Sequence, residues 1–239
     1  MMTTNQKTAY ITGGTKGIGL GIVKSLLEAG YQVAFSGRSQ QGVDEALKAL
    51  SAYKPQLLGI VSDVRKYSDE EAAIAKILDR FGCLDVVVAN AGLGVFAPVD
   101  ELDVADFDKM IATNLNGVFY TLKASIPALK KSEGYYISIA SLAGTNFFGG
   151  GAGYNASKFG VVGFTQAAMI DLRGYGIKVT TIMPGSVTSE FNNHQPNEND
   201  AWKIQPEDIG QLVLDLLKMH PRALPSKIEI RPTQPGGKK

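Results

Sequence analysis

The sequence predicts an α/β fold, a doubly wound parallel sheet of seven strands with helices on both faces, and three observations predict it. Short apolar, β-branched runs alternate along the chain with longer stretches of helical period, as strands joined by crossover helices require. The run "DVVVA" is apolar without alternation, the pattern of a strand covered on both faces. A glycine-rich turn, "TGGTKGIG", separates the first such run from the first helical stretch, where open parallel sheets receive a nucleotide.

The elements follow in order. "TAYIT" is the first strand, and a helix runs from Gly17 to about Ala29. "QVAFS" precedes a helix from Gly42 to about Ala52, and "LLGIV" precedes one that ends at Phe81. The spacing Ser68-x-x-Glu71 predicts a capping box at the start of that third helix. "DVVVAN", "YYISIA" and "IKVTTIM" are strands four to six, with helices starting near Val104, Gly153 and Pro206 after them, and "KIEI" closes the sheet. No repeat and no Pro/Ser-rich linker interrupts the alternation, so residues 1–239 read as a single domain. Residues 234–239 read as a flexible tail. The polar stretch "NNHQPNENDAWK" is either a surface loop or a lid, within a substrate-loop region at 188–203.

Composition narrows the function. With 24 basic and 23 acidic side chains, the net charge of +1 gives no broad positive field for nucleic acid or an anionic membrane. One cysteine, Cys83, and two histidines, His194 and His220, make no zinc cluster, so no metal site is expected. No signal-peptide core and no run of about 18 apolar residues is present, and the expectation is a cytoplasmic protein. Met110, Met183 and Met219 read as packing residues, His194 as a solvated histidine, and Trp202 as either a substrate-facing aromatic or a loop anchor.

The turn has the spacing G-x-x-x-G-x-G, with Gly13, Gly17 and Gly19 around Thr15, Lys16 and Ile18. Glycines there let the backbone approach a pyrophosphate at a helix N-terminus, where unpaired N–H groups favour an anion. The second strand ends in Ser36-Gly37-Arg38, with no acid to bind a ribose 2′-hydroxyl. Arg38 and Lys16 are instead two cations suited to a 2′-phosphate, which favours NADP(H).

"YNASK" sets Tyr154 four residues before Lys158. With nine tyrosines in the chain, that spacing alone separates a catalytic pair from an ordinary amphipathic helix poorly. The wider pattern decides. "TGGTKGIG", "NAG" at 90–92, "IASLAG" at 139–144, "YNASK", and "PG" at 184–185 occur in order, each at the carboxyl end of a strand or the start of the following helix. In these motifs the chain resembles the short-chain dehydrogenase/reductase family, most firmly over residues 8–190. The resemblance implies a Rossmann-type fold and a catalytic set of Ser141, Tyr154 and Lys158 with Asn114 as fourth member. It further implies that Asn90, Ala91 and Gly92 line the central part of the cofactor and that Asp63, with Val64 beside it, meets the adenine. Pro184 and Gly185 follow as the "PG" motif, with Val187 and Thr188 holding the nicotinamide amide. The "SGR" and turn motifs look like reductases of the 3-oxoacyl-acyl-carrier-protein type, while the ending "LPSKIEIRPTQPGGKK" looks more like sepiapterin reductase relatives and other small carbonyl reductases. A carbonyl or alcohol substrate, carrier-bound or free, and a homodimer or homotetramer packed through the helices near Val104 and Gly153 are the implied partners. A nucleotide-sensing module without catalysis is the alternative reading.

In such a site a tyrosine of pKa near 10 is about 0.1% phenolate at pH 7, and an ammonium one helical turn away is expected to lower that pKa. Ser141 would donate to the substrate carbonyl, and Asn114 would hold a water against Lys158.

Overall fold

The computed structural model describes residues 6–234; the expected tail beyond 234 lies outside the described residues. Seven strands form one parallel sheet in the order β3-β2-β1-β4-β5-β6-β7. They are β1 (Thr8–Ile11), β2 (Gln32–Gly37), β3 (Leu57–Val61), β4 (Val86–Ala89), β5 (Tyr135–Ile139), β6 (Lys178–Pro184) and β7 (Lys227–Ile230). Each falls within a residue of the apolar run that predicted it, because strands buried on both faces carry no polar position to blur their ends.

Alternate residues of these strands build two cores. Ala9, Ile11, Val33, Phe35, Val86 and Val88 pack on one face beneath α1 (Gly17–Glu28), α2 (Gln40–Ala49) and α7 (Pro206–Lys218). Tyr10, Ala34, Val87, Ala89 and Tyr136 pack on the other, beneath α3 (Tyr67–Phe81), α5 (Gly117–Ser132) and α6 (Ala152–Leu172). Pro206 opens α7, where a missing N–H costs nothing, and the backbone N–H of Gln205 donates to Asp208 at 2.8 Å. Of the methionines, Met110 and Met183 are fully buried as expected, whereas Met219, just past α7, is exposed.

Three helix boundaries differ from the expectation. α2 starts two residues early because Ser39 caps it, its hydroxyl accepting the N–H of Gly42, and a 3-10 turn (Ser51–Gln56) replaces its predicted end. α3 begins at Tyr67, so Ser68 lies inside the helix and makes no cap; no side chain caps this helix, and the Asp69 carboxylate accepts the N–H of Asp63 in the preceding loop. The helix predicted from Val104 is α4 (Val104–Met110) joined to α5 through a π-helical stretch, Ile111–Asn116. Such a widened turn redirects side chains, and this one contains Asn114.

Candidate active site

The strand order reverses between β1 and β4, and parallel sheets open a crevice at such a point. The glycine-rich turn after β1 meets the loop after β4 there. Gly13 has φ +65°, and a Cβ on it would lie 2.9 Å from the Ala91 Cα, so both conformation and space demand glycine. A Cβ on Gly19 would collide with the Gly13 carbonyl, which lets α1 begin directly beneath the turn. Asn90 fastens the two loops: its amide donates to the carbonyls of Thr12 (2.9 Å) and Gly13 (3.1 Å). The Thr12 hydroxyl accepts the N–H groups of Asn90 and Ala91 in return.

A cavity of about 1460 Å³ opens over this junction. Gly13, Thr15, Lys16, Gly17 and Ile18 line it, as do Arg38 and Val64. So do Asn90, Ala91, Gly92, Pro184, Gly185 and Val187. The residues fit a dinucleotide. A Cβ-free cradle faces a helix N-terminus. The hydroxyl of Thr113, which also lines the cavity, is buried without a partner among the described residues. At the end of β2 a Cβ on Gly37 would lie 2.5 Å from Thr15 Cγ2, so an acidic side chain has no room where it would meet a 2′-hydroxyl.

Ser141, Tyr154 and Lys158 reach the same cavity from two elements. Ser141 follows β5, and its oxygen accepts the N–H of Ala143, leaving its proton for the pocket side. Tyr154 and Lys158 stand one turn apart on α6, 9% and 5% exposed. Lys158 Nζ donates to the Ile139 carbonyl at 3.0 Å and lies 5.7 Å from the centre of the Tyr154 ring. Asn155, between them, donates from one amide to the carbonyls of Ala143 and Asn146, both at 2.7 Å, tying the Ser141 turn to the start of α6. Asn114 accepts the N–H of Leu93 (2.9 Å) and donates to the Leu93 carbonyl and to Ser157 Oγ (2.9 Å). A Cβ on Gly92 would sit 3.3 Å from Asn114 Oδ1 and 3.7 Å from Lys158 Nζ, so the amide and the ammonium flank that glycine.

A family model described as short chain dehydrogenase matches residues 7–200. The chain belongs to that family. It is 31% identical to an uncharacterized oxidoreductase of Staphylococcus aureus over 97% of this chain and all of the relative. Among solved structures, an alcohol dehydrogenase from the archaeon Thermococcus sibiricus complexed with 5-hydroxy-NADP superposes with a TM-score of 0.90 at 30% identity, covering 98% of this chain and 100% of that one. An actinorhodin polyketide ketoreductase variant with NADPH gives 0.86 at 28% identity, over 97% and 98%.

The electrostatics differ from the expectation at the tyrosine. Burial pushes the Tyr154 phenol up to about 12, with the Ser141 hydroxyl opposing this, and burial pulls Lys158 down to about 8. Desolvation dominates at both groups, and the ammonium donates to the Ile139 carbonyl.

Several predicted residues stand elsewhere. Gly19 packs under the turn and Asp63 lies outside the cavity lining, its carboxylate held by Arg65 through Nε (2.9 Å) and a terminal nitrogen (2.5 Å). The Arg65 hydrogen bond chiefly holds the Asp63 carboxyl below its usual range, with Arg38 adding a smaller pull. Thr188 turns away from the cavity: its N–H donates to Ile204 and its hydroxyl to the Asp200 carbonyl. His194 is partly exposed and also paired: its Nε2 is 2.5 Å from the carboxylate of buried Asp200, which Lys203 Nζ also meets at 2.5 Å. Those two contacts hold the Asp200 carboxyl down to about 2. Residues missed from the sequence are Asn155, Thr113, Asp200, Phe96 and Phe191 beside Tyr154, and Phe148 behind Phe96. Asn155 lay in plain view inside "YNASK"; the rest carry no motif and come together only in three dimensions.

Proposed function

We propose that this chain is an NADPH-dependent reductase that converts a carbonyl compound to a secondary alcohol. The observation that carries the reading is the convergence of Ser141, Tyr154 and Lys158 on the cavity that also holds the glycine-rich turn. The nicotinamide, when bound, supplies the hydride to the carbonyl carbon. The turn around Gly13 and Gly17 would hold its pyrophosphate, and Asn90, Ala91 and Gly92 its central part. Ser141 Oγ donates a hydrogen bond to the substrate oxygen and steadies the charge that grows there. Tyr154 Oη delivers the proton to that oxygen. A phenol raised to about 12 is wholly protonated at neutral pH, which suits it to donate in the reductive direction. Lys158, still mostly charged at pH 7, favours the phenolate left behind, and Asn114 beside it opens a route for the returning proton.

Preference for NADPH over NADH rests on Lys16 and Arg38, both on the cavity lining, and on the lack of space for an acid at Gly37. Residues 188–203 act as the substrate loop, braced through Asp200. A 3-oxoacyl thioester is one substrate of the right chemistry. Self-association through α5 and α6 is supported by the exposed Phe119, Phe159 and Ile170. The test is NADPH oxidation with a panel of ketones, wild type against Tyr154→Phe. The variant is expected to lose at least about a hundredfold in kcat, the scale of a general acid. Unchanged turnover would reject the mechanism, and no turnover by wild type with any ketone would leave a nucleotide-binding module.

A further inference from the structure

The geometry points to an arene-bearing ketone, its carbonyl attached to an aromatic ring or within a ring fused to one, as the substrate class of this site; the inference rests on the reductase reading above. Two phenylalanines meet Tyr154 from separate loops, and a third, from another loop, extends their wall. Phe96, after β4, meets the Tyr154 ring edge-on with centroids 5.4 Å apart and planes at 78°. Phe191, after β6, meets the same ring at 5.7 Å, and Phe148, before α6, packs on Phe96 at 5.7 Å. Loops so far apart in sequence do not bring rings together through local structure.

The arrangement is incomplete as a core. Phe96, Phe148 and Phe191 remain 41%, 49% and 37% exposed although each packs on another ring and lines the cavity. Side chains that meet only to fill space would be covered; these leave ring surface open beside the proton donor. The fold also makes room for them, since a Cβ on Gly94 would lie 2.7 Å from Phe191 Cζ and 3.0 Å from Phe96 Cζ. A flat π-system laid against the open surface of such rings gains offset or edge contacts that an aliphatic chain cannot make. Ser141 and Tyr154 orient the carbonyl, and although Asn146, Asn192 and His194 also line the cavity, the ring surface next to the proton donor selects by shape and apolar contact. An extended 3-oxoacyl chain would use little of this surface.

The experiment pairs 2-tetralone with cyclohexanone, which differ by one fused benzene ring, and adds the N-acetylcysteamine thioester of acetoacetate as a 3-oxoacyl probe. With NADPH, kcat/KM for 2-tetralone is expected to exceed that for either rival at least about tenfold, a ring being worth more than the methylene that already yields such ratios. Phe96→Leu and Phe191→Leu, milder than alanine for folding, are each expected to shrink the 2-tetralone to cyclohexanone ratio. A ratio near one, a ratio that survives both substitutions, or faster reduction of the thioester would overturn the inference. Calorimetry of the NADP-loaded protein with 2-tetralol and cyclohexanol gives a second reading free of turnover. Tighter binding of the aryl alcohol without reduction of any ketone would sink the reductase and keep the aryl site; equal binding would sink the aryl site.

Discussion

Replacing Lys158 by methionine should make the protein more stable at neutral pH while removing its activity. Lys158 is 5% exposed, and its pKa falls from the usual 10.5 to about 8 through burial alone. At about 1.4 kcal/mol per pH unit, that fall means the charged side chain costs the fold about 3 kcal/mol when fully protonated. Methionine has a similar length and no charge to desolvate, but it gives up the 3.0 Å hydrogen bond to the Ile139 carbonyl, a loss of about 1 kcal/mol. The net gain is about 2 kcal/mol, or about 4–8 °C in Tm for a chain of this size. The sign with pH is fixed. Below about pH 8 both the folded and the unfolded lysine are charged and the cost is whole. Between 8 and 10.5 the unfolded chain binds the extra proton, so the stability of the wild type climbs with pH and the advantage of the variant shrinks. Thermal unfolding of both proteins at pH 7, 9 and 10.5, without added nucleotide, measures this. A variant equal to or less stable than wild type at pH 7, or an advantage that does not fall between pH 8 and 10.5, would refute the reasoning.

Other substitutions test separate parts of the site. Asn155→Leu removes two buried hydrogen bonds to Ala143 and Asn146 and should cost about 2 kcal/mol, read as a Tm about 4–8 °C lower, with a further fall in kcat as the Ser141 turn loosens. Arg38→Asp should reduce the ratio of NADPH to NADH kcat/KM about tenfold or more; an unchanged ratio would show that Arg38 does not face the 2′-phosphate. Glu70 is fully buried among Ser62, Tyr10 and the sheet, and burial raises its carboxyl above the usual range. Its ionisation therefore weakens the fold as pH rises from about 4.5 through the raised value. Glu70→Gln should gain on wild type in urea midpoint between pH 4 and pH 7, and a constant difference would contradict that.

The sequence by itself determined the sheet, its order of elements and the chemical members of the site. Strands buried on two faces announce themselves as apolar runs, and the motif residues lie at the carboxyl ends of strands or on the helices that follow, where topology carries them to one edge. The capping box expected at Ser68 does not form because α3 starts at Tyr67, one residue earlier, and the end of α2 gives way to a 3-10 turn. What tertiary structure decided was energetic and non-local. The pKa of Tyr154 depends on how much water the surrounding chain removes and on where Lys158 points, and neither is set by a spacing of four. Asp63 pairs with Arg65 and stays off the cavity lining, and His194 meets Asp200, since a carboxylate takes whichever donor the fold brings within reach. The ring wall of Phe96, Phe148 and Phe191 spans nearly a hundred residues of chain, and folding alone places its parts around one hydroxyl.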